Sequence, residues 1–97
     1  MSTNAPTLLD PKDPAETTDY EFDFSTLLAS DENIVSYDLE TPDDLTKVGD
    51  SQDGKVITAY YSGGIDGATY RPRCKITTDS ATPRVIVRSL AFRCEKL

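Results

Sequence analysis

The chain contains no histidine and no tryptophan, and only two cysteines and one methionine. Without histidine, the commonest general base and the usual mixed zinc ligand sets are missing. Cys74 and Cys94 form no C-x-x-C pair, so no structural metal, cofactor or nucleophilic thiol is expected. Apolar runs approaching the ~18 residues of a membrane span are absent. So is the basic n-region with an apolar h-region that marks a signal peptide. A soluble, unsecreted protein is expected, and in such a compartment thiols stay reduced. Free, half-buried cysteines are therefore expected, with a disulfide as the alternative. Apolar residues are also scarce: 37 % of 97 residues, against roughly 45–50 % in average globular chains. One small domain with a small core follows, and a deep catalytic cleft is hard to build in it.

Positive charge is scarce in the first half only. Residues 1–53 hold 14 acids and two lysines, whereas residues 54–97 hold three acids and eight bases, which together give the net charge of −7. The sequence joins an acidic half to a basic half.

Residues 1–19 carry prolines at 6, 11 and 14, four acids and only Leu8 and Leu9 as sizeable apolar side chains. This composition predicts an extended acidic arm. From Tyr20 the pattern becomes alternation. Tyr20, Phe22 and Phe24 are interleaved with Glu21 and Asp23, the period-2 signature of a strand with one buried face. Residues 25–30 read as a turn with Leu27 and Leu28 as an apolar plug. In residues 33–40, Val35, Tyr37 and Leu39 share a phase. Residues 41–44 read as a turn, residues 45–49 as a weak element, and residues 51–54 as a strong turn leading into 55–61, the best central-strand candidate. Residues 62–67 hold three glycines. The P-loop pattern needs Gly-Lys-Ser/Thr opening a helix, but Ala68-Thr69-Tyr70 and then Pro72 follow, so a hairpin loop is predicted instead. In residues 68–78, Tyr70, Pro72, Cys74 and Ile76 face one way while Arg71, Arg73 and Lys75 face the other, and Pro72 belongs at an edge or a strand start. In residues 84–96 the apolar phase shifts between Val87 and Leu90, which predicts a β-bulge near Arg88-Ser89. With a hairpin centred near residue 81, Cys74 pairs opposite about residue 88, far from Cys94.

Strands spaced by turn-rich loops with no convincing helix predict an all-β fold: a small antiparallel Ig-like β-sandwich over 20–97, preceded by the arm over 1–19. The paired carboxylates Asp31-Glu32 and Asp43-Asp44 fall in predicted exposed turns where nothing raises a pKa, so they read as solvated acids and the chain as a non-enzyme. The acid clusters lack D-x-D-x-D-G spacing for calcium. Arg71, Arg73, Lys75, Arg84, Arg88 and Arg93 crowd the last strands, but the overall negative charge and the lack of aromatics interleaved with them argue against nucleic acid.

Five stretches carry a resemblance to a group of short tailed-phage virion proteins of Ig-like type: residues 21–28 (EFDFSTLL), 31–36 (DENIVS), 62–70 (SGGIDGATY), 76–78 (ITT) and 88–90 (RSL). Phe24 stands where the group usually has tryptophan, and the acidic arm lies outside the shared pattern. The resemblance implies a small structural component of the virion. Charge complementarity adds a means of assembly. Leu8, Leu9, Asp10 and Asp13 of the arm and Arg71, Arg73 and Lys75 of the basic face are the candidate partner-binding residues. The expectation is a non-enzymatic capsid decoration or cement protein in several copies on the major capsid protein or other virion proteins. The alternative is a neck or tail accessory protein of the head-tail connection, and a third reading is an Ig-like binding or adhesion module.

Overall fold

The structure is a computed structural model that describes residues 8–97. Nine strands lie among the described residues: β1 (Leu8–Lys12), β2 (Thr18–Asp23), β3 (Ile34–Glu40), β4 (Leu45–Asp53), β5 (Val56–Gly63), β6 (Thr69–Tyr70), β7 (Arg73–Thr78), β8 (Val85–Ser89) and β9 (Ala91–Cys94). They form three small sheets, ordered β2-β5-β4, β3-β7-β8 and β1-β9-β6. Each is named below by its central strand. All pairings are antiparallel except that of β1 with β9. The result is the all-β sandwich that the alternation predicts.

The period-2 apolar positions supply the core. Tyr20 and Phe22 of β2 and Ile57, Ala59 and Tyr61 of β5 are buried in one cluster with Cys74 and Ile76 of β7, Phe92 and Cys94 of β9, and Tyr70. The Tyr20 ring stacks on Phe92 at 4.5 Å, and Tyr70 tilts against the same ring at 5.9 Å. The β5 sheet is therefore one layer, with the other two sheets across from it. Leu28 is buried and Leu27 packs against the cluster, as expected for the apolar plug of the 25–30 turn.

The β7 and β9 sheets are connected by a single bent hairpin. One arm is interrupted between β6 and β7 by Arg71-Pro72, the other between β8 and β9 by Leu90, and the two breaks meet where the Leu90 N–H donates to the Pro72 carbonyl at 3.0 Å. Pro72 sits at a strand start because it has no N–H for a ladder. Cys74 lies opposite Arg88, as predicted. Both cysteines are free and buried.

Several local expectations are corrected. The phase shift after Val87 marks the break at Leu90, where the chain changes sheets, and not a bulge at Arg88-Ser89. Ladder irregularities lie instead in β4, between Lys47 and Gly49, and in β3, where a bulge falls between Ile34 and Ser36. It rotates Val35 out to 60 % exposure and puts Ile34 into the core beside the half-buried Tyr37 and Leu39. Residues 45–49 are not a weak element, since β4 runs for nine residues against β5. The turn before β5 is the two-residue Gly54-Lys55 connection, with Gly54 at φ 60° as a II′-type hairpin requires at its first central position. The 62–67 segment is not a hairpin loop, because it carries the chain from the β5 sheet to the β9 sheet. Glu32 is not a solvated turn acid but a buried one. Within the stretch expected as an arm, residues 8–12 form β1 along β9, and β2 already begins at Thr18. Residues 1–7 of that stretch lie outside the described residues. Pro11 falls in the irregularity of the β1–β9 ladder between Leu9 and Lys12, where its missing N–H leaves no bond to make.

Candidate interaction surface

The alternation that buries Cys74 and Ile76 turns Arg73 and Lys75 to the outer face of the β7 sheet. Their direct neighbours on β3 are acids: Glu40 lies opposite Arg73 and Asp38 opposite Lys75. Arg73 and Glu40 form an exposed ion pair at 3.3 Å, a kind that contributes little to stability. Asp38, Glu40, Arg73, Lys75 and Val87 line a shallow hollow on this face. A larger open hollow, about 640 Å³, adjoins it, lined by Glu40, Thr41, Pro42, Thr69, Tyr70 and Arg71. Glu40 is shared by both, so Arg71, Arg73 and Lys75 belong to one continuous surface of mixed charge. Sequence reasoning missed Asp38 and Glu40, although both lie in the phase opposite Tyr37 and Leu39.

Leu8, Leu9 and Asp10 are exposed on β1. They lie on the far side of β9 from β6, two strand spacings or roughly 10 Å from the Arg71 end of that sheet. Asp13 is engaged within the chain: its carboxylate accepts from the Ala15 N–H and the Leu97 N–H, each at 2.8 Å. These bonds hold its pKa below the usual carboxylate value. Beside it, Lys12 is 1 % exposed, and its Nζ donates to the Gly63 carbonyl at 2.8 Å and the Asp13 carbonyl at 2.9 Å. This buried ammonium ties β1 to the glycine-rich segment. Nothing in the composition of residues 8–13 signals its burial.

The outer face of the β5 sheet has different chemistry. Asp19, Glu21 and Asp23 of β2 lie opposite Tyr60, Thr58 and Val56, which in turn lie opposite Gly49, Ser51 and Asp53 of β4. All three β2 acids are exposed, and none joins any of the four ion pairs among the described residues. Tyr60 stands among them at 40 % exposure, because Tyr61 holds the inward phase. The molecule thus presents an acidic face on one layer and a mixed, arginine-bearing face on the other. Its principal extents are 46 × 34 × 19 Å.

Glu32 is 4 % exposed and receives Arg84 through both carboxylate oxygens, at 2.9 and 2.6 Å. The Arg84 guanidinium, with Thr78 and the Ala29 N–H, holds the Glu32 pKa down to about 2. Arg84 also donates to the Leu27 carbonyl at 2.9 Å, so this pair fastens the 25–33 loop to the start of β8 and is not a free charge.

A family model described as podophage GP4 fiber-tail adaptor protein gp77 matches residues 12–93. The chain belongs to this family. The match runs from the buried Lys12 to the penultimate residue of β9 and so takes in every strand from β2 to β8. The Gp77 family is one of phage virion structural proteins, and membership makes the chain a virion component. It gives the capsid-decoration expectation no support, and no capsid partner either. The neck-or-tail alternative agrees with it better. No curated protein matches the chain.

Proposed function

We propose that the chain is a tail accessory protein that joins a fibre component to the tail, acting by binding and not by catalysis. The observation that carries this reading is the fiber-tail adaptor description of the family over residues 12–93. An adaptor needs two surfaces that do not compete, and the sandwich offers them on opposite layers. The acidic face holds Asp19, Glu21 and Asp23, while the mixed face holds Arg71, Arg73 and Lys75 around Glu40. Complementary charge fixes orientation and speeds encounter more than it adds affinity. Leu8, Leu9 and Asp10 on the exposed β1 edge extend the contact area.

Particles assembled without this chain test the reading: they should carry filled, intact capsids and tails that lack fibres. Particles that keep their fibres, or whose capsids fail instead, would overturn it. In a reconstitution, Arg71→Glu with Arg73→Glu should abolish binding to one of the two partners and spare the other. Equal loss or equal retention of both would show that the mixed face is not a docking surface.

A further inference from the structure

Two outermost strands of this molecule are complementary to each other. In an antiparallel ladder, residues whose N–H and C=O face the partner strand alternate with residues whose groups face away. On β2, the Phe24 N–H donates to the Lys55 carbonyl at 2.9 Å. With Asp23 opposite Val56, this phase turns the backbone groups of Asp19, Glu21 and Asp23 to the open edge. On β8, the bonds from Thr78 N–H to the Arg84 carbonyl and from Leu90 N–H to the Pro72 carbonyl set the phase. Ile86 and Arg88 face β7, and Val85, Val87 and Ser89 face the open edge. Both strands end their sheets.

Exposed edges are normally guarded by charge, proline or a bulge. β2 is guarded by its acids. β8 has no proline and no acid, and Val85 at its start is 61 % exposed. The one charge at its edge is Arg88, whose Nη1 donates to the Val87 carbonyl at 2.7 Å. We propose that β2 of one copy adds antiparallel to β8 of a second copy, so that copies join head to tail through two different edges.

The register follows from the pattern. Glu21 opposite Val87 places Asp19 beside Ser89 and Asp23 beside Val85, with all six side chains on the outer face. Across β8, Lys75 lies opposite Val87 and Arg73 opposite Ser89. The carboxylates of Glu21 and Asp19 then meet Lys75 and Arg73 over one intervening strand, roughly 10 Å between backbones, and Arg88 sits at the seam. The cores of both copies lie on the same side, so the β5 sheet of one continues the β7 sheet of the other.

The test is sedimentation of the purified full chain over a range of concentrations. The wild type should form concentration-dependent oligomers that weaken as salt rises from about 0.05 to 0.5 M. Val87→Pro removes an N–H that has no partner within the chain, and should give a folded protein with its β8 edge closed. Glu21→Lys should weaken association by at least about tenfold. Mixed in equal amounts, the two variants should form a dimer and nothing larger, because one supplies only β2 and the other only β8. Should Val87→Pro fail to fold, Val87→Asp sets an acid opposite Glu21 and takes its place. A wild type that stays monomeric, oligomers indifferent to both substitutions, or loss on Val87→Pro with none on Glu21→Lys (the mark of β8 pairing with itself) would each overturn the proposal. So would a monomeric wild type whose β8 edge is needed only for fibre or tail binding. Self-association is measured on the chain alone, so its failure leaves the adaptor reading standing.

Discussion

Gly64 and Gly67 both adopt positive φ, at 103° and 90°, but for different surroundings. A Cβ on Gly64 would stand 2.7 Å from Cys94 Sγ, whereas one on Gly67 would meet nothing within 4 Å. Gly67→Ala should therefore cost only backbone strain, about 1 kcal/mol, and Gly64→Ala strain plus overpacking, roughly 2–4 kcal/mol. Urea unfolding of the two variants measures the difference. Burial pushes the Cys74 thiol up to about 12 and raises that of Cys94 as well. Neither should react with a thiol reagent at pH 8 in the native protein, and both should react in guanidinium. Glu32 gives the acid limb of stability. Its folded pKa, about 2, lies below its ordinary value of 4.5, so its contribution is full above about 4.5 and is lost as the pH falls through about 2. Glu32→Gln should lower stability at pH 7 and flatten the dependence in that window, as followed by thermal melts at stepped pH.

At the scale of the element, what was legible depended on how local the cause was. The aromatic alternation of β2, the β-branched run of β5 and the in-out alternation around Cys74 are local patterns, and each strand formed as they predict. β1 was not legible. Its sequence, Leu8-Leu9-Asp10-Pro11-Lys12, has neither alternation nor β-propensity, and it is a strand because β9 offers it an edge more than eighty positions away in sequence. Lys12 can be buried because the Gly63 carbonyl, 51 positions away, and the neighbouring Asp13 carbonyl accept from its ammonium. Lys12→Met leaves those carbonyls without a donor, which should cost about 1–3 kcal/mol and loosen β1. Hydrogen exchange at the β1–β9 amides would report it as faster opening there than in the β5 sheet. The same distinction governs the candidate surface. Arg71, Arg73 and Lys75 were legible as one face of one strand, but Asp38 and Glu40 join them only through the β3–β7 register, which a bulge in β3 resets.

For the whole molecule, the split of charge along the sequence becomes a split between layers. The acids of β2 lie on one outer face and the bases of β7 on the other, although β3 carries acids across to temper the basic side. The proposed docking by either face should weaken with salt, and more steeply on the acidic face, which has no cation of its own among the described ion pairs; titrations against a fibre and a tail component at two ionic strengths would show it. The parallel pairing of β1 with β9 has a mechanical meaning. Leu8, where β1 starts, and Cys94, where β9 ends, lie at opposite ends of this parallel ladder. Tension applied between them slides one strand along the other and loads the β1–β9 bonds together instead of opening them one at a time. Pulled at Leu8 and Cys94 in a force spectrometer, the domain should resist more strongly than when pulled across the β4–β5 hairpin, a useful property in the proposed link between fibre and tail.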